Sequence, residues 1–158
     1  MTAPGSIFLD ALARRRGRSV EVTLTAQLPS GTHIEPHIPS EPTLIPTVVE
    51  VEGLEEATVE YPEPVRKDLG FKGMSLSVYA GTVRFVIRGK VAVGIEIVRG
   101  TVRYQPCVGG ACLPPRSLTW EAKLEGTDRP LARYEAPSPS NGLGAARVRR
   151  APVRVSRS

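Results

Sequence analysis

Apolar and polar positions alternate along most of this chain. Val20, Val22, Leu24, Ala26 and Leu28 alternate with Glu21, Thr23, Thr25 and Gln27, the period of two that turns one face of a strand inward. Turn residues interrupt at Pro29-Ser30-Gly31 and again between Pro36 and Pro42. Leu44 to Val51 reads as the next strand, with Pro46 demoting its start to an edge or a bulge. Thr58 to Tyr61 follows and is closed by Pro62-Glu63-Pro64. After a polar loop come Leu76 to Tyr79, Val83 to Ile87 and Val91 to Val98, separated by Ala80-Gly81 and Gly89. Thr101 to Gln105 and Leu118 to Leu124 complete the set. About eight or nine short strands without an intervening helical period predict an all-β fold, an antiparallel sandwich or barrel.

The two ends read differently. Ile7 to Ala13 has the spacing for one or two helical turns, stopped at once by Arg14-Arg15-Arg16-Gly17. From about Gly126 onward Pro, Ser, Gly, Ala and Arg dominate, and Ala136-Pro137-Ser138-Pro139-Ser140-Asn141-Gly142 has the composition of a linker. The pattern divides the chain into a basic segment at 1–18, a folded body at 19–128, and an Arg/Pro/Ser-rich tail at 129–158 that is expected to be disordered from about 136.

Charge follows the same division. The chain of 158 residues has a net charge of +5, but residues 1–19 hold four Arg against one Asp and residues 129–158 seven Arg against one Glu. Between them, ten Lys or Arg face fourteen acids, so the body is mildly acidic. A nucleic-acid reader keeps its basic face on the fold, with stacking aromatics if it takes single strands. Aromatic residues are only 5% here, so no specific nucleic-acid partner is expected, although the tails would attract polyanions. No run of 18 apolar residues occurs, so contact with a membrane is expected only through a partner protein. The first residues also lack the apolar centre of a secretory signal, which leaves a cytoplasmic location open.

The two cysteines lie in Tyr104-Gln105-Pro106-Cys107-Val108-Gly109-Gly110-Ala111-Cys112-Leu113-Pro114-Pro115. Gly109-Gly110 supplies the positive φ of a tight reversal, so the two sulfurs can meet across a short loop. Pro106 and Pro114-Pro115 remove amide donors on both sides and leave the loop on a sheet edge. A bond closing so short a loop contributes only about 2 kcal/mol by the chain-entropy argument, and it pins nothing distant. Thiol–disulfide exchange instead needs an accessible sulfur with a resolving partner close by, which the loop provides. A purely structural bond inside a protein-binding module is the alternative. Arg103 and Arg116 flank the pair and could lower a thiol pKa. His33 and His37 complete a formal Cys2His2 set, but their spacing needs a helix that Gly31, Pro36 and Pro39 forbid. No metal is assigned, and both histidines read as exposed loop residues.

The stretch from Tyr104 to Pro115 resembles a family pattern, Tyr-Gln-x-Cys, four or five residues, then Cys-x-Pro-Pro. It is found in the N-terminal domain of the bacterial thiol:disulfide interchange protein DsbD. Leu28 to Ile34, Ile45-Pro46-Thr47, Tyr61-Pro62-Glu63-Pro64, Phe71-Lys72-Gly73 and Val78-Tyr79-Ala80-Gly81 are similar to further family pieces in the same order, over about residues 20–124. The resemblance implies an immunoglobulin-like sandwich acting as a thiol–disulfide oxidoreductase, a disulfide reductase component that needs no cofactor. Its partners would be thioredoxin-like proteins on one side and disulfide-containing targets on the other, among them extracytoplasmic isomerases and cytochrome maturation proteins. By the family motif, Cys112 matches the cysteine that forms mixed disulfides and Cys107 the one that resolves them. Tyr104, Gln105, Pro114 and Pro115 are the flanking motif. Asp68, Leu69, Gly70 and Phe71 fall where the family carries a cap, with Phe71 either its shielding ring or an ordinary core residue. The resemblance places the protein outside the cytoplasm.

Overall fold

Alternating burial sets the architecture of this chain. A computed structural model describes residues 5–71, 74–127 and 153–154. In β1 (Phe8–Arg16) Leu9, Ala11 and Ala13 are buried while Phe8, Asp10 and Leu12 are exposed. In β2 (Ser19–Gln27) Val20, Val22, Leu24 and Ala26 are buried in turn. Then follow β3 (Thr32–Ile34), β4 (Val48–Glu52), β5 (Glu55–Glu60), β6 (Val65–Phe71), β7 (Met74–Ala80) and β8 (Thr82–Lys90). The remaining strands are β9 (Ile97–Tyr104), β10 (Pro106–Val108), β11 (Ala111–Cys112), β12 (Arg116–Lys123), β13 (Glu125–Thr127) and β14 (Val153–Arg154). Every regular element among the described residues is a strand, as the alternation predicts.

Three sheets result. A six-stranded sheet runs β13-β1-β2-β8-β5 with β14 also on β1, a five-stranded sheet runs β11-β10-β3-β7-β6, and a three-stranded sheet runs β12-β9-β4. The inward residues of the first and third meet in one core. Val22, Leu24, Phe85 and Ile87 come from β2 and β8, and Val98, Val102, Trp120 and Ala122 from β9 and β12. Burying such side chains is the main favourable term in folding. Gly100 lets Trp120 pack close against β9, because a side chain there would meet the indole at 2.6 Å and would also collide with the Glu50 carbonyl.

Several elements depart from the expectation. Ile7 to Ala13 is not helical: Leu9, Leu12 and Ala13 fit a helical stripe, but nine consecutive pairs with β2 hold the segment as a strand. The sheet thus begins inside the stretch that its charge sets apart as a basic segment. Val91 to Val98 is not one strand, since Ile95 N–H donates to the Ala92 carbonyl at 3.3 Å and Gly94 takes a φ of 90°, closing a turn before Ile97. The polar loop before Leu76 contains strand β6, which the paired register with β7 holds at a sheet edge. Within the tail expected to be disordered, Val153 and Arg154 pair with Ala13 and Leu12. The rest of that tail lies outside the described residues. Pro46 does precede β4, and β4 is an edge strand.

Candidate redox site

The site forms where the chain leaves the three-stranded sheet. β9 ends at the buried Tyr104, and one residue later β10 begins in the five-stranded sheet. β10 and β11 are joined by Gly109 and Gly110, with φ of 65° and 126°, the left-handed side that the Gly-Gly pair predicts. Reversal there puts Cys107 directly opposite Cys112, and the two are joined by a disulfide with Cα atoms 3.9 Å apart. Leu113 N–H donates to the Pro106 carbonyl at 2.8 Å, and Gln105 Nε2 donates to the Leu113 carbonyl at 3.1 Å. These two bonds tie both arms of the loop together beside Cys112.

The two cysteines occupy different environments. Cys107 is 1% exposed, whereas Cys112 sits in β11 with Ala111 at the exposed edge of the sheet. Pro114 and Pro115 are also exposed, while Tyr104 is buried and pairs across the strands with Arg116. Burial raises the Tyr104 phenol above its ordinary range, and the Arg116 charge and hydrogen bond oppose that shift. Arg116 is thus engaged with Tyr104, and Arg103 lies exposed between Val48 and Ser117. The cation that does line the cavity beside the cysteines is Lys67.

β3 supplies the inner wall. Cys107 pairs with His33 on one side as it pairs with Cys112 on the other, so Cys112, Cys107 and His33 form a row across three strands. Glu35 follows two residues after His33 and shares its side of the extended chain, while Ile34 between them points into the core. The ligand-bearing atoms of His33, Glu35 and Cys107 all lie within 4.8 Å of one another. They open into a cavity of about 320 Å³ that is also lined by Leu44, Lys67 and Cys112. His33 is therefore not an exposed loop residue: it is 9% exposed, because pairing with β10 covers it. Burial, and secondarily the charge of Lys67, pushes its imidazole below the usual histidine range.

Glu35 is the residue that the sequence pattern does not single out. It is 2% exposed, its Oε1 has no hydrogen-bond partner among the described residues, and burial raises its carboxyl above the ordinary range. Thr47 holds it in place. The buried Thr47 hydroxyl donates to the Glu35 carbonyl, and Thr47 N–H donates to the Pro36 carbonyl at 3.4 Å. His37 turns away from the cysteines, stacking on Tyr61 at 3.8 Å with Nδ1 3.0 Å from the Thr47 carbonyl. The formal Cys2His2 set therefore does not assemble. The only trace of Glu35's position in the sequence is its place two residues after His33 in an extended stretch.

The cap residues are placed in part. Asp68, Leu69, Gly70 and Phe71 lie at the end of β6, after Lys67, in the same sheet as the cysteines. Their side chains lie outside the described residues.

With this geometry in place, comparisons with known proteins are informative. The family described as thiol:disulfide interchange protein DsbD, N-terminal, matches residues 9–123. No curated protein matches by sequence. The reduced N-terminal domain of Neisseria meningitidis DsbD superposes with a TM-score of 0.52 at 18% identity, covering 78% of this chain and 90% of that one. The N-terminal periplasmic domain of ScsB from Proteus mirabilis superposes with a TM-score of 0.57 at 14% identity, covering 99% of this chain and 82% of that one. At these identities the superpositions speak for the fold, an all-β, immunoglobulin-like sandwich. The chain therefore belongs to the family of DsbD N-terminal domains, whose thiol–disulfide exchange with thioredoxin-like proteins fits the Cys107–Cys112 bond at the exposed edge of the sheet.

Proposed function

We propose that this protein carries an electron pair between a thioredoxin-like partner and disulfide-containing target proteins through Cys107 and Cys112. The observation that carries this reading is the asymmetry of the pair: one cysteine on an exposed edge strand, the other buried on the strand beside it. A partner thiolate reaches Cys112 first. Its attack forms a mixed disulfide and breaks the Cys107–Cys112 bond, with Cys107 leaving as a thiolate. The partner's second thiol then attacks the mixed disulfide and releases Cys112, so two electrons and two protons arrive on the pair. In the second half-reaction the Cys112 thiolate attacks a target disulfide. Cys107 then attacks the mixed disulfide, re-forming the Cys107–Cys112 bond and releasing the target as a dithiol that carries the two electrons. Lys67 on the cavity wall favours the leaving thiolate.

Residues 68–71 act in this reading as a cap over the pair. The support is topological: Lys67 and Leu76, paired across β6 and β7, both line the cysteine cavity, and the cap residues follow Lys67 directly. The location is extracytoplasmic, in line with the family and with the periplasmic domain from P. mirabilis that shares the fold.

Single-cysteine variants test the roles. Cys107→Ser should accumulate mixed disulfides with disulfide-containing targets, because the Cys112 thiolate still attacks them and Cys107 is no longer there to resolve the product. Cys112→Ser should accumulate none. Equal trapping by both variants would reverse or erase the assignment. Partner capture that survives loss of both cysteines would move the protein to a binding module with a structural bond.

A further inference from the structure

We infer that, in its dithiol form, the protein binds one zinc-class divalent cation through Cys107, Cys112, His33 and Glu35. Three of these donors already converge, with the His33 nitrogen, the Glu35 carboxylate and the Cys107 sulfur mutually within 4.8 Å. The fourth, the Cys112 sulfur, is the disulfide partner of Cys107 and lines the same cavity. Metal–ligand bonds of about 2.0–2.3 Å set tetrahedral donor atoms within about 4 Å of each other, so modest side-chain rotation closes the set.

Three further features favour a cation over an empty pocket. The Glu35 Oε1 is buried without a hydrogen-bond partner among the described residues, an arrangement that costs stability unless something occupies it. His33 is nearly buried beside it, the condition of a neutral imidazole ligand. Charge also balances: two thiolates and a carboxylate offset a divalent ion together with Lys67 on the cavity wall. Two thiolates, an imidazole and a carboxylate make a mixed donor set that suits zinc, whereas copper(I) prefers an all-soft one.

Reduction opens the site. The disulfide leaves neither sulfur free to ligate, while the dithiol gives up two thiol protons to solvent as the metal–sulfur bonds form, with no change in oxidation state. The metal binds only the reduced protein, so it holds the pair reduced and withdraws it from exchange until the ion leaves.

The experiment uses the whole chain, reduced with a phosphine that is then removed without oxygen, and titrated with Co²⁺ as the spectroscopic probe. The expected result is a thiolate-to-cobalt charge-transfer band with tetrahedral d–d bands, saturating at one equivalent, displaced by Zn²⁺ and absent from the oxidised protein. Glu35→Gln and His33→Ala should each weaken binding at least about tenfold, the smallest loss that even changes around a metal's ligands produce. X-ray absorption of the wild-type zinc complex, which needs no variant, should find two sulfur and two nitrogen or oxygen neighbours. No band at one equivalent, variants that bind as tightly as the wild type, or a sulfur-only shell would overturn the inference. No exchange partner is present in this assay. A chain that binds cobalt but fails to exchange overturns only the proposed function, and one that exchanges but does not bind overturns only the metal site.

Discussion

The hydroxyl of Thr47 donates to the main-chain carbonyl of Glu35, joining the approach to β4 to the wall of the cysteine cavity. Thr47 has no exposed surface and is the side chain that fixes the Glu35 backbone. Thr47→Val keeps the shape and removes the donor, leaving a buried carbonyl short of a partner. We expect a loss of about 1–3 kcal/mol in urea unfolding of the oxidised protein. An unchanged midpoint would mean that the contact contributes nothing to holding the wall.

Gly100 is a packing requirement. Any side chain there meets the Glu50 carbonyl on the neighbouring strand as well as Trp120, and a carbonyl in a paired strand cannot rotate away. Gly100→Ala should cost at least about 3 kcal/mol, the upper end of ordinary overpacking, and give little folded protein. Near-neutral unfolding of this variant would contradict the close stacking of Trp120 on β9.

The Gly109-Gly110 pair separates two kinds of glycine. The φ of 65° at Gly109 is one that Asn adopts, and nothing lies near a side chain placed there. The φ of 126° at Gly110 is foreign to residues with a side chain. Gly109→Asn should be nearly neutral in thermal unfolding, whereas Gly110→Ala should cost more than about 1 kcal/mol. Equal effects would show that the reversal takes another form.

The two titratable walls of the cavity act in opposite directions with pH. Burial raises Glu35, so the folded state favours its neutral form. That contribution is complete below the ordinary value of 4.5 and is lost as pH rises through the raised folded value. Burial lowers His33, so its contribution is complete above 6.5 and is lost as pH falls through the lowered folded value. The stability of the wild type relative to Glu35→Gln should therefore fall as pH rises above 4.5, measured by urea unfolding of the oxidised protein across a pH series. A difference that stays flat with pH would mean that the carboxyl is solvated.

Much of the fold is legible in the sequence because it is carried by period-two burial. β2 and β8 alternate cleanly, since one face meets the core and the other meets water. β1 is ambiguous because Leu9, Ala11, Leu12 and Ala13 satisfy both a helical stripe and a strand, and only pairing with β2 decides. β6 hides because an edge strand can carry charge without alternation, and its Val65 is itself exposed. The cysteine hairpin is legible because the residues that turn it, two glycines and three prolines, are local. Glu35 and the burial of His33 are not, because they depend on β3 pairing with β10, a contact between distant parts of the chain.

Exchange through the Cys107–Cys112 pair is tested most directly by its reduction potential. The protein would be equilibrated in graded thiol buffers containing a chelator, and free thiols counted by alkylation and mass. An exchange carrier predicts a value within about −120 to −270 mV, the span of known exchange proteins. A value below about −300 mV would mark a structural bond, and the protein would not be an exchange carrier.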